Sequence, residues 1–114
     1  MKEVLSLVNP PIYIIALEDE KPIGVVALKP TEMKQFPERE YWLGSLFVDR
    51  DHRGNGVATL LESEVVKVAK SLSINTLFLQ TEALDGGLYA RLGWENREVV
   101  SYQGIIVLVM EKVL

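Results

Sequence analysis

The chain has 114 residues, 48% hydrophobic and 25% charged, with a formal net charge of −4, no cysteine and one histidine. That length suits one continuous core, so residues 1–114 read as a single domain, and no apolar run approaches the roughly 20 residues that a membrane span needs. The acidic balance argues against bulk binding to nucleic acid, and the missing thiols exclude disulfides, thiolate metal sites and an acyl-cysteine intermediate while fitting a reducing compartment.

The opening stretch MKEVLSLVNPP lacks the basic region and long apolar core of a secretion signal, so a cytoplasmic location is expected. Residues 12–17 (IYIIAL) and 23–28 (IGVVAL) are β-branched and apolar around the charged turn EDEKP, which predicts a β-hairpin. Residues 29–40 carry two prolines and many charges and read as a loop over the surface. YWLGSLFV, 41–48, reads as a strand, and Gly44 inside it marks a bulge or a close approach. From Val57 to about Leu72, apolar residues at 57, 61, 65, 68 and 72 predict an amphipathic helix. Thr59, Glu62, Ser63, Lys67, Lys70 and Ser71 are expected largely on its solvent side. TLFLQ, 76–80, then completes a strand, helix, strand unit whose strands should be parallel. LYARLG, 88–93, reads as a short helix capped by Gly93, followed by two strands meeting around Gln103-Gly104. The run Ile105–Met110 does not alternate, which predicts burial on both faces. The expected class is α/β (α+β), a mixed and largely antiparallel sheet with a central parallel pair and a long helix.

The stretch DHRGNGVATLL, 51–61, places Gly54 and Gly56 before that helix, with Arg50, His52 and Arg53 beside them. A nucleotide P-loop needs Lys after its last glycine, where Val57 stands, and a dinucleotide fingerprint needs a small third residue where Thr59 stands. What remains is Arg53-x-x-Gly56-x-Ala58 between a strand and a helix, whose unpaired N–H groups and positive dipole suit an anion. This pattern resembles the Q/R-x-x-G-x-G/A signature of the GNAT superfamily of acyl-CoA-dependent N-acetyltransferases. LFVDRDHRG resembles that family's fourth strand entering its loop, LYARLGWE its L-Y-x-x-L-G-F helix with Trp94 for phenylalanine, and GIIVLVMEKVL its closing strand, inserted between two others.

The resemblance implies acetyl-CoA as co-substrate and a primary amine on a small molecule or peptide as acceptor, attacked directly in a ternary complex. It implies that the fourth strand splays from its parallel neighbour to admit the pantetheine arm. Leu46 N–H would face the acetyl carbonyl, and Phe47 and Val48 would lie along the arm. The amides of Arg53, Gly54, Asn55, Gly56, Val57, Ala58 and Thr59 would hold the pyrophosphate, with the Arg53 guanidinium as an extra clamp. The side chains of Leu46, Phe47 and Val48 are expected in the core. Tyr89 corresponds to the tyrosine that protonates the departing thiolate. For the base, the family's glutamate position holds Trp42, which leaves Glu40, two residues earlier on the same side of the strand, as the candidate. A water relay is the alternative, and Glu32 and Glu38 are assigned to the loop. His52 borders the phosphate cradle and is given a surface or phosphate-side role. Only about eleven residues precede the first hairpin, where the family commonly has a strand and two helices, so the acceptor pocket is expected open or completed by a second subunit in a homodimer. TEALDGG lacks an asparagine that many members place against the cofactor. The rival reading is a non-catalytic CoA-binding or regulatory module.

Overall fold

A computed structural model describes residues 2–4 and 10–114. Residues 1 and 5–9, which carry most of the stretch read for a secretion signal, lie outside the described residues. The strands are β1 (Lys2–Val4), β2 (Ile12–Glu18), β3 (Lys21–Pro30), β4 (Tyr41–Val48), β5 (Thr76–Thr81), β6 (Glu95–Tyr102) and β7 (Ile105–Val113), with helices α1 (Val57–Ser71) and α2 (Gly87–Arg91). The strands form one sheet in the order β1-β2-β3-β4-β5-β7-β6. Neighbours run antiparallel except β4 and β5, which are parallel and joined through α1. The expected hairpin, the parallel pair and the insertion of the last strand between its two predecessors are all present. The edge strand β1 was not anticipated. Among the described residues no helix is long and apolar enough to cross a membrane.

α1 lays its apolar stripe on the sheet, with Leu61, Val65 and Ala69 fully buried in one cluster with Ile14, Ala16, Val26 and Leu28. Glu62 departs from its expected solvent position and is 4% exposed. One residue past Leu61 turns it only about 100° around the helix, which leaves it at the margin of the stripe. There its Oε2 accepts from Trp94 Nε1 at 2.8 Å and from Lys112 Nζ at 2.7 Å. Burial of that carboxylate is sustained because it is paired and hydrogen-bonded. Lys112 also donates to the Leu92 carbonyl at 3.1 Å, so the network ties α1, the end of α2 and β7 together.

Residues 31–40 form the expected loop, but one anchored to the sheet. Met33 is fully buried in a second cluster, on the sheet face opposite α1, with Trp42, Val107 and Val109, and Phe36 packs against it. The Arg39 guanidinium lies 4.1 Å over the Phe36 ring and pairs with Glu98 on β6. Thr31 N–H donates to Glu40 O at 2.7 Å and Trp42 Nε1 to Arg39 O at 2.7 Å, closing the segment on itself. Two apolar side chains and one stacked cation therefore hold a stretch whose charge pattern suggested solvent. Burial of the last strand also differs: Val107–Met110 are buried, but Ile105 and Ile106 are 47% and 53% exposed. β5 pairs with β7 only from Thr81 opposite Leu108 onward, so the tip of the β6–β7 hairpin projects past its neighbour.

A 3-10 turn, Arg50–His52, connects β4 to the glycines. His52 braces it, with Nδ1 3.0 Å from Asp49 Oδ2 and Nε2 2.5 Å from Glu18 Oε2 at the β2–β3 turn. The bond to Asp49, then that to Glu18, raises the imidazole pKa above its ordinary 6.5. A raised folded-state value means the brace contributes fully below about 6.5 and is lost as pH rises through the folded value. Subtracting the Tm of His52→Gln from that of the wild type between about pH 5.5 and 9 should give a positive difference that shrinks with rising pH; a flat difference contradicts the brace. Lys112→Met should cost about 2 to 3 kcal/mol in denaturant unfolding by leaving Glu62 buried without its cation, discounted for partial solvent access to Lys112. Adding Glu62→Gln should restore part of that loss, because the amide oxygen still accepts from Trp94 and carries no charge.

Candidate active site

Two concavities lie along β4. The first is formed by the turn that enters α1. Gly54 and Gly56 have φ of +81° and +82°, left-handed values that L side chains seldom adopt. A Cβ at either would meet nothing within 4 Å, so the space in front of the turn is open. Gly56 caps α1 without a side-chain hydrogen bond, and the first turn carries no acidic residue. The first intrahelical bond runs from Leu60 N–H to Gly56 O at 3.0 Å, which leaves the N–H groups before it facing outward. The cavity there measures about 320 Å³ and is lined by Val48, His52, Arg53, Gly54, Gly56, Val57, Ala58 and Thr59, and across from them by Leu88 and Arg91 of α2.

Three cationic or titratable side chains thus border the helix N-terminus, and they are not equivalent. Both ring nitrogens of His52 are occupied by carboxylates, so it holds the turn rather than an anion. Arg53 folds back, donating from Nε to the Val48 carbonyl at 3.0 Å with its guanidinium 5.7 Å from the Phe47 ring. Arg91, which the sequence reading did not single out, supplies the opposite wall. It follows from α2's own periodicity, one turn beyond Leu88, but nothing local to its sequence announces it.

The second concavity is the cleft between β4 and β5. Among the described residues their register holds one pair, Trp42 opposite Phe78, with the two rings 5.6 Å apart. Beyond that pair the strands separate. β4 carries a bulge there: Phe47 pairs with Val25 and Gly44 with Ala27, and Ser45 between them has φ +54°. Asp49 N–H donates to Ile23 O in β3 at 2.7 Å. Because antiparallel strands alternate the direction of their polar groups, those of Val48 and Leu46 face away from β3, toward the open side. The cleft measures about 420 Å³ and is lined by Leu43, Gly44, Ser45 and Leu46 on one strand, Leu79 to Thr81 and Glu82 on the other, Tyr89 on α2, and Glu32, Tyr102, Gln103, Ile105 and Val107.

Leu46 and Tyr89 are therefore brought together at the cleft, and Val48 and Leu88 at the cradle, so the two spaces are lined by residues two apart on β4 and adjacent on α2. Leu46 is partly buried and Val48 buried as expected, but the Phe47 ring is 57% exposed and lines neither space, because alternation sends it to the far face. Asn55 sits at the tip of the turn, exposed. Tyr89 is half-buried against Trp94, centroids 6.1 Å apart and nearly edge-on. Burial, then the nearby Glu62 charge, pushes its phenol up to about 12, so it is neutral and a hydrogen-bond donor throughout the physiological range.

Glu40 is not at this cleft. With Glu38 it borders a separate cavity beside Tyr41, Ile74 and Thr76. Tyr41 and Trp42 belong to the end where β4 and β5 are still joined, so a residue preceding them lies on the wrong side of the closure. Two carboxylates do line the cleft, Glu82 and Glu32, and the place of Glu32 in a loop had obscured it.

The model of the Acetyltransferase (GNAT) family matches residues 2–94. N-acetyltransferase 8B of Homo sapiens is 31% identical over 87 residues, 74% of this chain and 38% of the relative. An uncharacterised N-acetyltransferase of Methanocaldococcus jannaschii is 33% identical over 92 residues, 77% of this chain and 41% of the relative. The chain thus spans about two fifths of the length of these relatives. Among solved structures, a ribosomal-protein-alanine N-acetyltransferase from Brucella melitensis superposes with a TM-score of 0.75 at 20% identity, over 90% of this chain and 68% of the other. An aminoglycoside 6'-N-acetyltransferase complexed with coenzyme A does so with 0.74 at 18% identity, over 92% and 74%. These likenesses show a shared fold. With the family model covering most of its length, the chain belongs to the GNAT acetyltransferase family.

Proposed function

We propose that residues 1–114 act as one catalytic unit that moves an acetyl group from acetyl-CoA to a primary amine of a small molecule or peptide, by direct attack with both substrates bound. The observation that carries this reading is that neighbouring residues of β4 and α2 line both concavities, Leu46 and Tyr89 one and Val48 and Leu88 the other. An anion held at the Gly54–Gly56 turn lies at one end of an unpaired stretch of β4, and Tyr89 lies at the other. Pyrophosphate suits the first because several N–H donors and the α1 dipole converge there, with Arg53 and Arg91 at its sides. A pantetheine arm, which carries two amides, suits the second because Leu46 and Val48 present polar backbone groups without a strand partner. The Val48 carbonyl already accepts from Arg53, so binding there falls chiefly to the remaining groups. The solved relative with coenzyme A supports the choice of carrier.

In the reaction the amine nitrogen bonds to the thioester carbon and the C–S bond breaks. The Leu46 N–H polarises the carbonyl, a type of contact commonly contributing several kcal/mol when aimed at the developing oxyanion. Tyr89 donates to the leaving sulfur. A phenol at about 12 yields its proton to a thiolate whose conjugate acid lies near 8.5 only against the gradient. Transfer is therefore coupled to return of a proton from the attacking nitrogen, and Tyr89 ends as it began. The absence of Glu40 from the cleft is what favours the rival reading of a CoA-binding module, and turnover separates the two.

Gly56→Arg strains a left-handed position and fills the cradle, so thermal stabilisation by coenzyme A should disappear; an undiminished shift removes the cradle from the proposal. Tyr89→Phe should lower kcat tenfold or more while the Kd for coenzyme A changes by less than about threefold. Unchanged thiol release from acetyl-CoA across a panel of amines would strip Tyr89 of its role.

A further inference from the structure

We propose that Glu32 is the group that takes the proton from the acceptor's ammonium; this rests on the acetyl-transfer reading above. An alkylamine arrives protonated and has no lone pair to attack with until a base relieves it. The base must reach the cleft, keep a free acceptor lone pair and be held in place. Glu32 meets each condition.

Its carboxylate stands over β4 at Gly44: a Cβ built on that glycine would come 2.8 Å from Oε1. The absence of a side chain at position 44 therefore makes the room that Glu32 occupies, beside the bulge that turns Leu46 into the cleft. Oε2 accepts from Gln80 Nε2 on β5 at 3.1 Å, so the carboxylate spans the gap between the parted strands. Lys29 Nζ is 4.0 Å from Oε1, at the limit of an ion pair. Each carboxylate oxygen has two lone pairs, and these contacts leave capacity for an ammonium. The side chain is 17% exposed, enclosed but reachable.

The segment bearing Glu32 is fixed on both sides. Tyr102 Oη donates to the Glu32 carbonyl at 3.1 Å, and the next residue, Met33, is fully buried. The other carboxylate at the cleft, Glu82, is on an exposed turn. Tyr102, Ile105 and Val107 extend the cleft beyond Glu32 on the side away from Tyr89's helix, a surface suited to the carbon body of an amine.

The proton inventory then closes. Glu32 accepts one proton from the ammonium and later releases it to solvent. The freed nitrogen attacks the thioester carbon, the C–S bond breaks, and the second nitrogen proton replaces the one Tyr89 gives to sulfur. The products are an amide, a thiol and one released proton.

Glu32→Gln retains shape and a hydrogen bond to Gln80 but cannot accept the proton. Acceptors of graded basicity read the difference: an alkylamine, protonated at neutral pH, and a hydrazide, which is neutral there. The variant should lose about 100-fold in kcat/KM on the alkylamine and at least tenfold less on the hydrazide, with the coenzyme A thermal shift retained. Glu32→Ala should regain alkylamine turnover when formate is added. Equal losses on both acceptors without formate rescue, or no loss at all, overturn the proposal while leaving acetyl transfer intact. A wild-type chain that binds coenzyme A yet acetylates no amine overturns both.

Discussion

β4 and β5 part after Trp42 and Phe78, and the site is organised around that parting. Interior strands normally complete their ladders because an unpaired amide or carbonyl is costly wherever water cannot reach it. Here the separation is held by what lies at its two ends. The Trp42 and Phe78 rings, tilted against each other, mark where the strands are joined below. Above, the bulge at Ser45 turns β4 away, and α2 places Tyr89 at the opening. The resulting strip of backbone has no partner strand and faces open space, which makes it receptive to an extended ligand with amides of its own. Both strands keep an outer partner, β3 on one side and β7 on the other, so the sheet remains continuous while its centre is open.

The surroundings make that opening usable. α1 begins at the level where β4 ends, so its outward N–H groups and the unpaired strip are consecutive along one path. The left-handed glycines permit this junction without a capping side chain, which would occupy the donors an anion needs. On the other side, residues 31–40 fold over the second sheet face through Met33, Phe36 and the stacked Arg39. This short segment supplies a wall of the cleft within the chain itself and carries Glu32 into it.

Most of the architecture was legible because it is written in local patterns: β-branched runs for β2 and β3, a short apolar run for β5, the 3.6-residue stripe of α1, glycines at the turns, and Gly93 after α2. The cradle was legible for the same reason, since Arg53 to Thr59 are contiguous. Glu32 was not, because its significance arises from pairings with Gln80, 48 residues away, and Tyr102, 70 residues away. Placing Glu40 by strand alternation put it beyond the end where β4 and β5 are joined, in a separate cavity, since periodicity says nothing about where two strands separate. Glu62 was misread because a stripe has a margin, and whether a margin carboxylate is buried depends on a lysine 50 residues distant. Gly44 lay between these cases: its unusual place in a strand signalled a close approach, and the approaching group could only be identified in three dimensions.

The buried Glu62 also shapes the chemistry assigned to Tyr89. A phenol raised to about 12 by burial and by that carboxylate stays protonated while the cleft is poised, so α2 presents a donor to its end of the cleft at all working pH values. The opposite wall presents an acceptor, Glu32. Transfer of an acyl group from sulfur to nitrogen requires this asymmetry, because protons must leave the nitrogen and one must arrive at the sulfur. Lys112 and Trp94 keep the Glu62 carboxylate itself satisfied in its buried place. The same three side chains tie α1, the end of α2 and β7 together, so the packing that places the phenol also buries it, and burial is the larger cause of its raised value.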